Sequence, residues 1–137
     1  MENTLIDAGP LIALFDKNDN YHKLVKKFLK DYKGHLTTTW SVMTEVTHML
    51  DFNVNIQIDF LKWIDRGAVR IASLEETHIK RIIELWEKYS DVPMDLADAS
   101  LLVASEIIGI KNIITIDSDY HIYRTKDRQA LNNLLVI

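Results

Sequence analysis

Short apolar runs with strand character alternate with helix-patterned segments along the whole chain. That alternation confines the fold to an α/β architecture with a mainly parallel sheet. The strand-like runs are Thr4 to Ile6, His35 to Thr39, Val69 to Ala72, Asn112 to Ile116 and Leu134 to Ile137. Between the first two, Pro10 suits the first turn of a short helix, where its missing N–H would be unpaired anyway. Asn20 is the expected cap of a second helix that carries Tyr21, Leu24, Val25, Phe28 and Tyr32 on one face and stops near Gly34. Ser41 is the expected cap of a helix reaching about Leu50. Residues 53–66 fit two patterns: Val54, Ile56, Ile58 and Phe60 alternate like a strand, whereas Phe60, Leu61 and Ile64 favour a helix, which we take. Ser73 and Glu76 have capping-box spacing before a helix whose expected core face is Ile79, Ile82, Ile83, Trp86 and Tyr89. A further helix is expected from about Asp95 to Ile108, ending at Gly109.

Nothing in the 137 residues resembles a linker, a repeat or a low-complexity tract, so residues 1–137 read as a single domain. The hydrophobic content of 47% against 26% charged residues is that of a globular protein and excludes wholesale disorder. No apolar run approaches the ~18 residues of a membrane helix. The opening MENTLIDAGPLIALF carries acids where an export signal carries positive charge. The absence of cysteine excludes disulfides and thiolate zinc sites and suits a reducing cytoplasm. A net charge of −4 argues against a protein that holds nucleic acid mainly through its own cations. It does not argue against a nuclease, because a divalent cation held by carboxylates can supply the charge that meets a phosphate.

Carboxylates sit where local logic wants something else. Asp7 and Asp117 each directly follow an apolar strand. In an open parallel sheet, ligands bind beyond the carboxyl ends of the strands where strand order reverses, so two such strands side by side would bring both acids to one ion. Asp98 shares a helical face with Leu101 and Leu102, and Asp95 lies one turn earlier. Glu45 shares a face with Val42 and Met49. Buried carboxylates are costly unless paired or metal-bound, and no basic residue stands beside these positions. Hard divalent cations such as Mg²⁺ or Mn²⁺ prefer oxygen ligands and would resolve the cost. Each acid also has an ordinary reading: Asp7 and Asp95 as helix caps, Asp117 in a turn with Ser118 and Asp119, Glu45 on a solvated rim. Asp98, flanked by apolar neighbours, fits the ordinary reading least, and the coincidence of all of them favours a site.

The segments LIDAGPLIALFD, TTTWSVMTEV, MDLADASLLVASEIIGIKNIITID and DSDYHIYR resemble the successive motifs of the PIN-domain nucleases, particularly VapC-type toxins of bacterial toxin–antitoxin pairs. The resemblance spans nearly the whole chain. It implies a PIN-like three-layer α/β/α fold with a five-stranded parallel sheet of order 3-2-1-4-5. It implies Asp7, Glu45, Asp98 and Asp117 as the catalytic and metal-binding quartet, with Asp95, Asp119 and Thr115 as auxiliaries. The implied activity is Mg²⁺- or Mn²⁺-dependent hydrolysis of RNA phosphodiester bonds, the ion activating water and stabilising phosphate charge. The implied partners are an RNA substrate, a cognate antitoxin that covers the site and a second copy in a homodimer. Many relatives carry a hydroxyl residue after the first aspartate, whereas this chain has Ala8, so a supporting hydrogen bond is expected to be missing.

Two other readings compete. A catalytically silent module could bind RNA or protein through the same surface, although all the expected acids are present. A phosphoryl-accepting receiver domain would want an adjacent acidic pair near the first strand's end, and Asp7 stands alone. The lysines at 23, 26, 27, 30 and 33 form a stripe that reads first as solvated helix surface and second as a phosphate path toward Asp7. Arg124, Lys126 and Arg128 are open to the same two readings. Glu45 and His48 have the Glu-x-x-His spacing of di-iron bundles, but no second pair exists. Trp86 is expected in the core, and Trp40 and Trp63 are expected to pack or to serve an interface.

Overall fold

Thr4, Leu5 and Ile6 of strand β1 (Asn3–Ile6) are all inaccessible to solvent. Successive strand residues point to opposite faces, so both faces of this strand must be covered. The structure, a computed structural model describing residues 2–137, shows the cover. After β1 come α1 (Ala8–Phe15), α2 (His22–Asp31), β2 (His35–Thr39), α3 (Trp40–Met49), α4 (Val54–Asp65) and β3 (Val69–Ala72). Then follow α5 (Ile79–Lys88), α6 (Leu96–Ile108), β4 (Asn112–Ile114) and β5 (Asn132–Asn133). The strands form one parallel sheet of order β3-β2-β1-β4-β5 with helices on both sides, the expected α/β/α arrangement. Strand order reverses between β1 and β4, where Ile6 lies opposite Ile114. The crevice for a ligand therefore opens beyond those two strand ends.

Helix α6 anchors the core. Its residues from Ala97 to Ser105 are all buried, and Gly109 ends it with φ of 80°, a left-handed conformation that glycine adopts without steric cost. Elsewhere in the core Phe15 packs edge-on against Phe60 and Trp63, with ring centroids 5.4 Å apart in both pairs. The ambiguous segment 53–66 is helical, with Phe60 and Ile64 facing inward. Among the described residues no helix is long and apolar enough to cross a membrane.

Several local expectations are corrected. Asn20 does not cap α2; the first helical residue follows Tyr21, and the Asp19 carboxylate accepts the Tyr21 N–H in the preceding turn. Helix α3 starts one residue before Ser41, because the Thr39 hydroxyl at the strand end accepts the Val42 N–H and becomes the cap. Ser73 and Glu76 form no capping box: a short 3₁₀ turn (Glu76–His78) intervenes, with the Glu75 N–H donated to His78 Nδ1. The expected core face of α5 splits into two stripes. Leu85 and Tyr89 are buried, with Ile82 half-buried beside them, whereas Ile79, Ile83 and Trp86 are 53%, 50% and 48% exposed. The apolar arc of this helix is wider than its contact with the rest of the chain.

Two strand boundaries also move. β4 stops at Ile114, not Ile116, and the last strand is Asn132–Asn133, not Leu134–Ile137, whose last two residues are exposed. One side chain accounts for both shifts. The Asn133 amide accepts the Thr115 N–H at 3.2 Å and donates to the Thr115 carbonyl at 3.1 Å, replacing the next rung of backbone pairing.

Candidate active site

The crevice at the β1–β4 junction is a cleft of about 310 Å³ lined by Asp7, Ala8, Gly9, Glu45, Asp95, Asp98, Ile116 and Asp117. Asp7 caps α1, its Oδ1 accepting the Ala8 N–H at 2.8 Å. Its Oδ2 accepts the Thr115 hydroxyl at 2.9 Å. Thr115 supplies, from β4's end, the hydroxyl that Ala8 cannot, so the expected gap in support of Asp7 is filled from the neighbouring strand. The same Thr115 oxygen accepts the Asp117 N–H at 3.0 Å. One buried threonine thereby ties the two strand-end acids together, and Asn133 grips its backbone.

Asp95 and Asp98 form a reciprocal cap at the start of α6. Asp95 Oδ1 accepts the Asp98 N–H at 2.7 Å, and Asp98 Oδ2 accepts the Asp95 N–H at 3.3 Å. Asp7 and Asp95 each cap a helix and line the cleft at once, so the capping role does not remove either from the cleft. Asp117 caps the 3₁₀ turn Ser118–His121 through the Asp119 N–H.

Asp7, Asp98 and Asp117 each present an oxygen within 4.8 Å of the others'. Asp7 is 6% and Asp98 9% exposed. Glu45 lines the same cleft, half-buried, but stands outside this tight trio, and its helix neighbour Met49 is exposed rather than packed. Asp119 is not among the residues lining the cleft; of the two it is Asp117 that places an oxygen beside those of Asp7 and Asp98. His48 is exposed and outside the cluster. Among the described residues no lysine or arginine pairs with these acids; the ion pairs formed are those of Arg81 with Glu84 and Glu106 and of Lys111 with Asp127.

The electrostatic consequence follows from burial without countercharge. Burial raises Asp7 from 3.8 to about 6, with the charges of Glu45 and Asp117 adding to it and the Ala8 and Thr115 hydrogen bonds opposing it. Burial raises Asp98 to about 8, reinforced by the charges of Asp7 and Asp95. Glu45 is raised too, first by burial and then by Asp95 and Asp117. The donor set consists of carboxylate oxygens only, concentrated and uncompensated, which fits a hard divalent cation.

The structure also brings in a residue that sequence reading missed. The buried Tyr120 hydroxyl donates to Asp98 Oδ1 at 3.2 Å. Its only sequence signal was an aromatic residue three positions after Asp117. None of the five lysines of the stripe lines the cleft. Lys27 and Lys33 border a groove with Glu2 and Gly34, at the amino ends of β1 and β2, opposite the end that carries Asp7. Solvated surface is the reading that this placement supports.

Removing the Thr115 hydroxyl tests the link between the strand ends. Thr115→Val should leave Asp7 Oδ2 and the Asp117 N–H without their partner and lower stability by about 1–3 kcal/mol. Chemical denaturation measures it; an unchanged unfolding midpoint would show that the link carries no stability.

The chain is 24% identical over 115 residues to ribonuclease VapC26 of Mycobacterium tuberculosis, covering 82% of this chain and 85% of that protein. Its fold is similar to the crystal structure of Mycobacterium tuberculosis VapC20, described as a sarcin-ricin loop cleaving toxin, with a TM-score of 0.79 and 16% identity. That likeness covers 87% of this chain and 93% of the other. The family model of the PIN domain matches residues 4–127, a stretch that holds Asp7, Glu45, Asp98 and Asp117, and with that match the chain belongs to the PIN-domain family.

Proposed function

We propose that residues 1–137 form a single metal-dependent endoribonuclease domain that hydrolyses RNA phosphodiester bonds as the toxin of a toxin–antitoxin pair. The observation that carries this reading is the trio of Asp7, Asp98 and Asp117, with oxygens within 4.8 Å and, among the described residues, no lysine or arginine paired with them. The likeness to a protein named as a ribonuclease supports the choice of substrate class. In this reading the trio holds Mg²⁺ or Mn²⁺. A bound ion supplies the positive charge that the cleft lacks, to offset the phosphate and to activate water.

The chain's own groups do the rest. Thr115 keeps Asp7 and Asp117 in register across the β1–β4 junction, and the Asp95 N–H holds Asp98. Glu45, at the cleft's half-buried side, accepts a hydrogen bond from the attacking water and orients it. Asp95 extends the negative rim, and Asp119 supports Asp117 through its N–H. The test is cleavage of a transcript pool and of structured RNAs, including an rRNA stem-loop, with Mg²⁺, with Mn²⁺ and with EDTA. Cleavage that EDTA abolishes is expected. No cleavage of any of these RNAs would leave the silent binding module as the better account.

The reading extends to partners and place. The chain acts in the cytoplasm as a homodimer, with a cognate antitoxin over the cleft. Support for the second copy comes from the uncovered stripe of Ile79, Ile83 and Trp86 on α5, with exposed Trp40 and Leu96 also apolar. Trp86→Glu should convert a dimer to a monomer in light scattering at micromolar concentration. A wild type already monomeric there, or a variant that stays dimeric, counts against this face.

A further inference from the structure

We infer that Tyr120 is a positioning residue that fixes the carboxylate of Asp98 for the metal ion, an inference resting on the metal-site reading above. Asp98 is held at both oxygens: Oδ2 accepts the Asp95 N–H at 3.3 Å, and Oδ1 accepts the Tyr120 hydroxyl at 3.2 Å. The first hold belongs to the helix that carries Asp98. The second comes from 22 residues away, out of the 3₁₀ turn that Asp117 itself caps. The Tyr120–Asp98 bond therefore spans from the segment of one acid to the carboxylate of another, as Thr115 does for Asp7 and Asp117.

The tyrosine can act this way because it is itself immobile. Its ring packs edge-on against Tyr123 with centroids 5.6 Å apart, and Tyr123 packs edge-on against Tyr89 at 5.2 Å. The Tyr123 hydroxyl donates to the Pro93 carbonyl at 2.6 Å, and the Tyr89 hydroxyl accepts the Arg124 N–H at 2.7 Å. These contacts fasten the loop before α6 to the turn after β4. A phenol held in this way limits rotation of the Asp98 carboxylate while leaving each oxygen a lone pair for the cleft. Hydrogen-bond partners of metal ligands commonly carry a tenfold to hundredfold share of metal affinity.

The experiment is Mn²⁺ affinity by titration calorimetry for wild type, Tyr120→Phe and Tyr32→Phe, with a thermal melt of each. Phenylalanine fills the space of Tyr120 and removes only the hydroxyl. Tyr120→Phe should fold, and bind Mn²⁺ about tenfold more weakly. Tyr32→Phe removes a phenol hydroxyl that bonds Thr4 toward the amino end of β1, away from the acids of the cleft, and its affinity should stay within about twofold of wild type, well inside the expected effect. Equal affinities in all three proteins overturn the role, as does equal weakening in both variants, which would mean general loosening. A Tyr120→Phe chain that does not fold overturns it too, because the hydroxyl would then serve stability. Failure of the metal reading looks different: wild type itself takes up no Mn²⁺.

Discussion

Asp98→Asn should abolish metal-dependent RNA cleavage, by about 10³-fold or more, and at the same time make the metal-free protein more stable at pH 8. The loss is expected because a ligand bound into several kcal/mol of charge stabilisation is removed. The gain follows from geometry. Asp98 sits beside Asp7 and Asp117 with no ion-pair partner among the described residues, so its charge is opposed by burial and by like charges. An asparagine keeps an oxygen for the Asp95 N–H, its amide can donate to a neighbouring carboxylate, and the Tyr120 hydroxyl can turn to accept from it. A rise of about 5 °C in melting temperature is expected, since each kcal/mol moves a domain of this size by several degrees. Cleavage within tenfold of wild type would remove Asp98 from the site. A lower melting temperature at pH 8 would show that the carboxylate's hydrogen bonds outweigh the repulsion. Active sites that store such strain trade stability for function.

The second large effect is an inverted dependence of stability on pH. Most carboxylates in folded proteins are stabilised as anions, and stability falls as acid protonates them. Here Asp7 is raised from 3.8 to about 6 and Asp98 to about 8, so between these limits the folded chain binds more protons than the unfolded one. Stability attributable to these groups therefore falls as pH rises. The penalty is absent below the unfolded value near 3.8, grows through the window, and is complete above about 8. The shift of Asp7 alone corresponds to on the order of 3 kcal/mol, at about 1.4 kcal/mol per unit. Metal-free protein should melt on the order of 5 °C higher at pH 5 than at pH 8.

Magnesium should reverse the order. Protons and cations compete for the same oxygens, so stabilisation by Mg²⁺ is largest where the carboxylates are already ionised. At a hundredfold excess over its dissociation constant an ion adds about 2.7 kcal/mol. Scanning calorimetry at pH 5 and pH 8, with EDTA and with Mg²⁺, measures both effects. A metal-free melting temperature that climbs from pH 5 to pH 8, or a Mg²⁺ shift equal at both, would mean that the acids are not held together as charged neighbours.

Much of this was written in local pattern. The alternation of strand and helix segments determined the α/β class, because burial on both faces demands continuous apolar runs and helices to cover them. Asp7 and Asp117 were visible as acids directly after such runs, and Asp98 as an acid on an apolar helix face. Local pattern failed at helix starts, where several residues compete to cap: Thr39 replaced Ser41, and Glu75 replaced Ser73, by occupying the turn first. It also failed for α5, since periodicity reports how apolar a face is but not whether the same chain covers it. Only the tertiary structure decided which carboxylates meet: oxygens of Asp7, Asp98 and Asp117 converge, Glu45 lines the same cleft, and Asp119 does not line it. Only the tertiary structure supplied their supports, Thr115 for Asp7, Asn133 for Thr115 and Tyr120 for Asp98, because each bridges segments far apart in sequence. Such pairings are set by sheet order and strand register, and the side chains that exploit them carry no mark of it in their own neighbourhood.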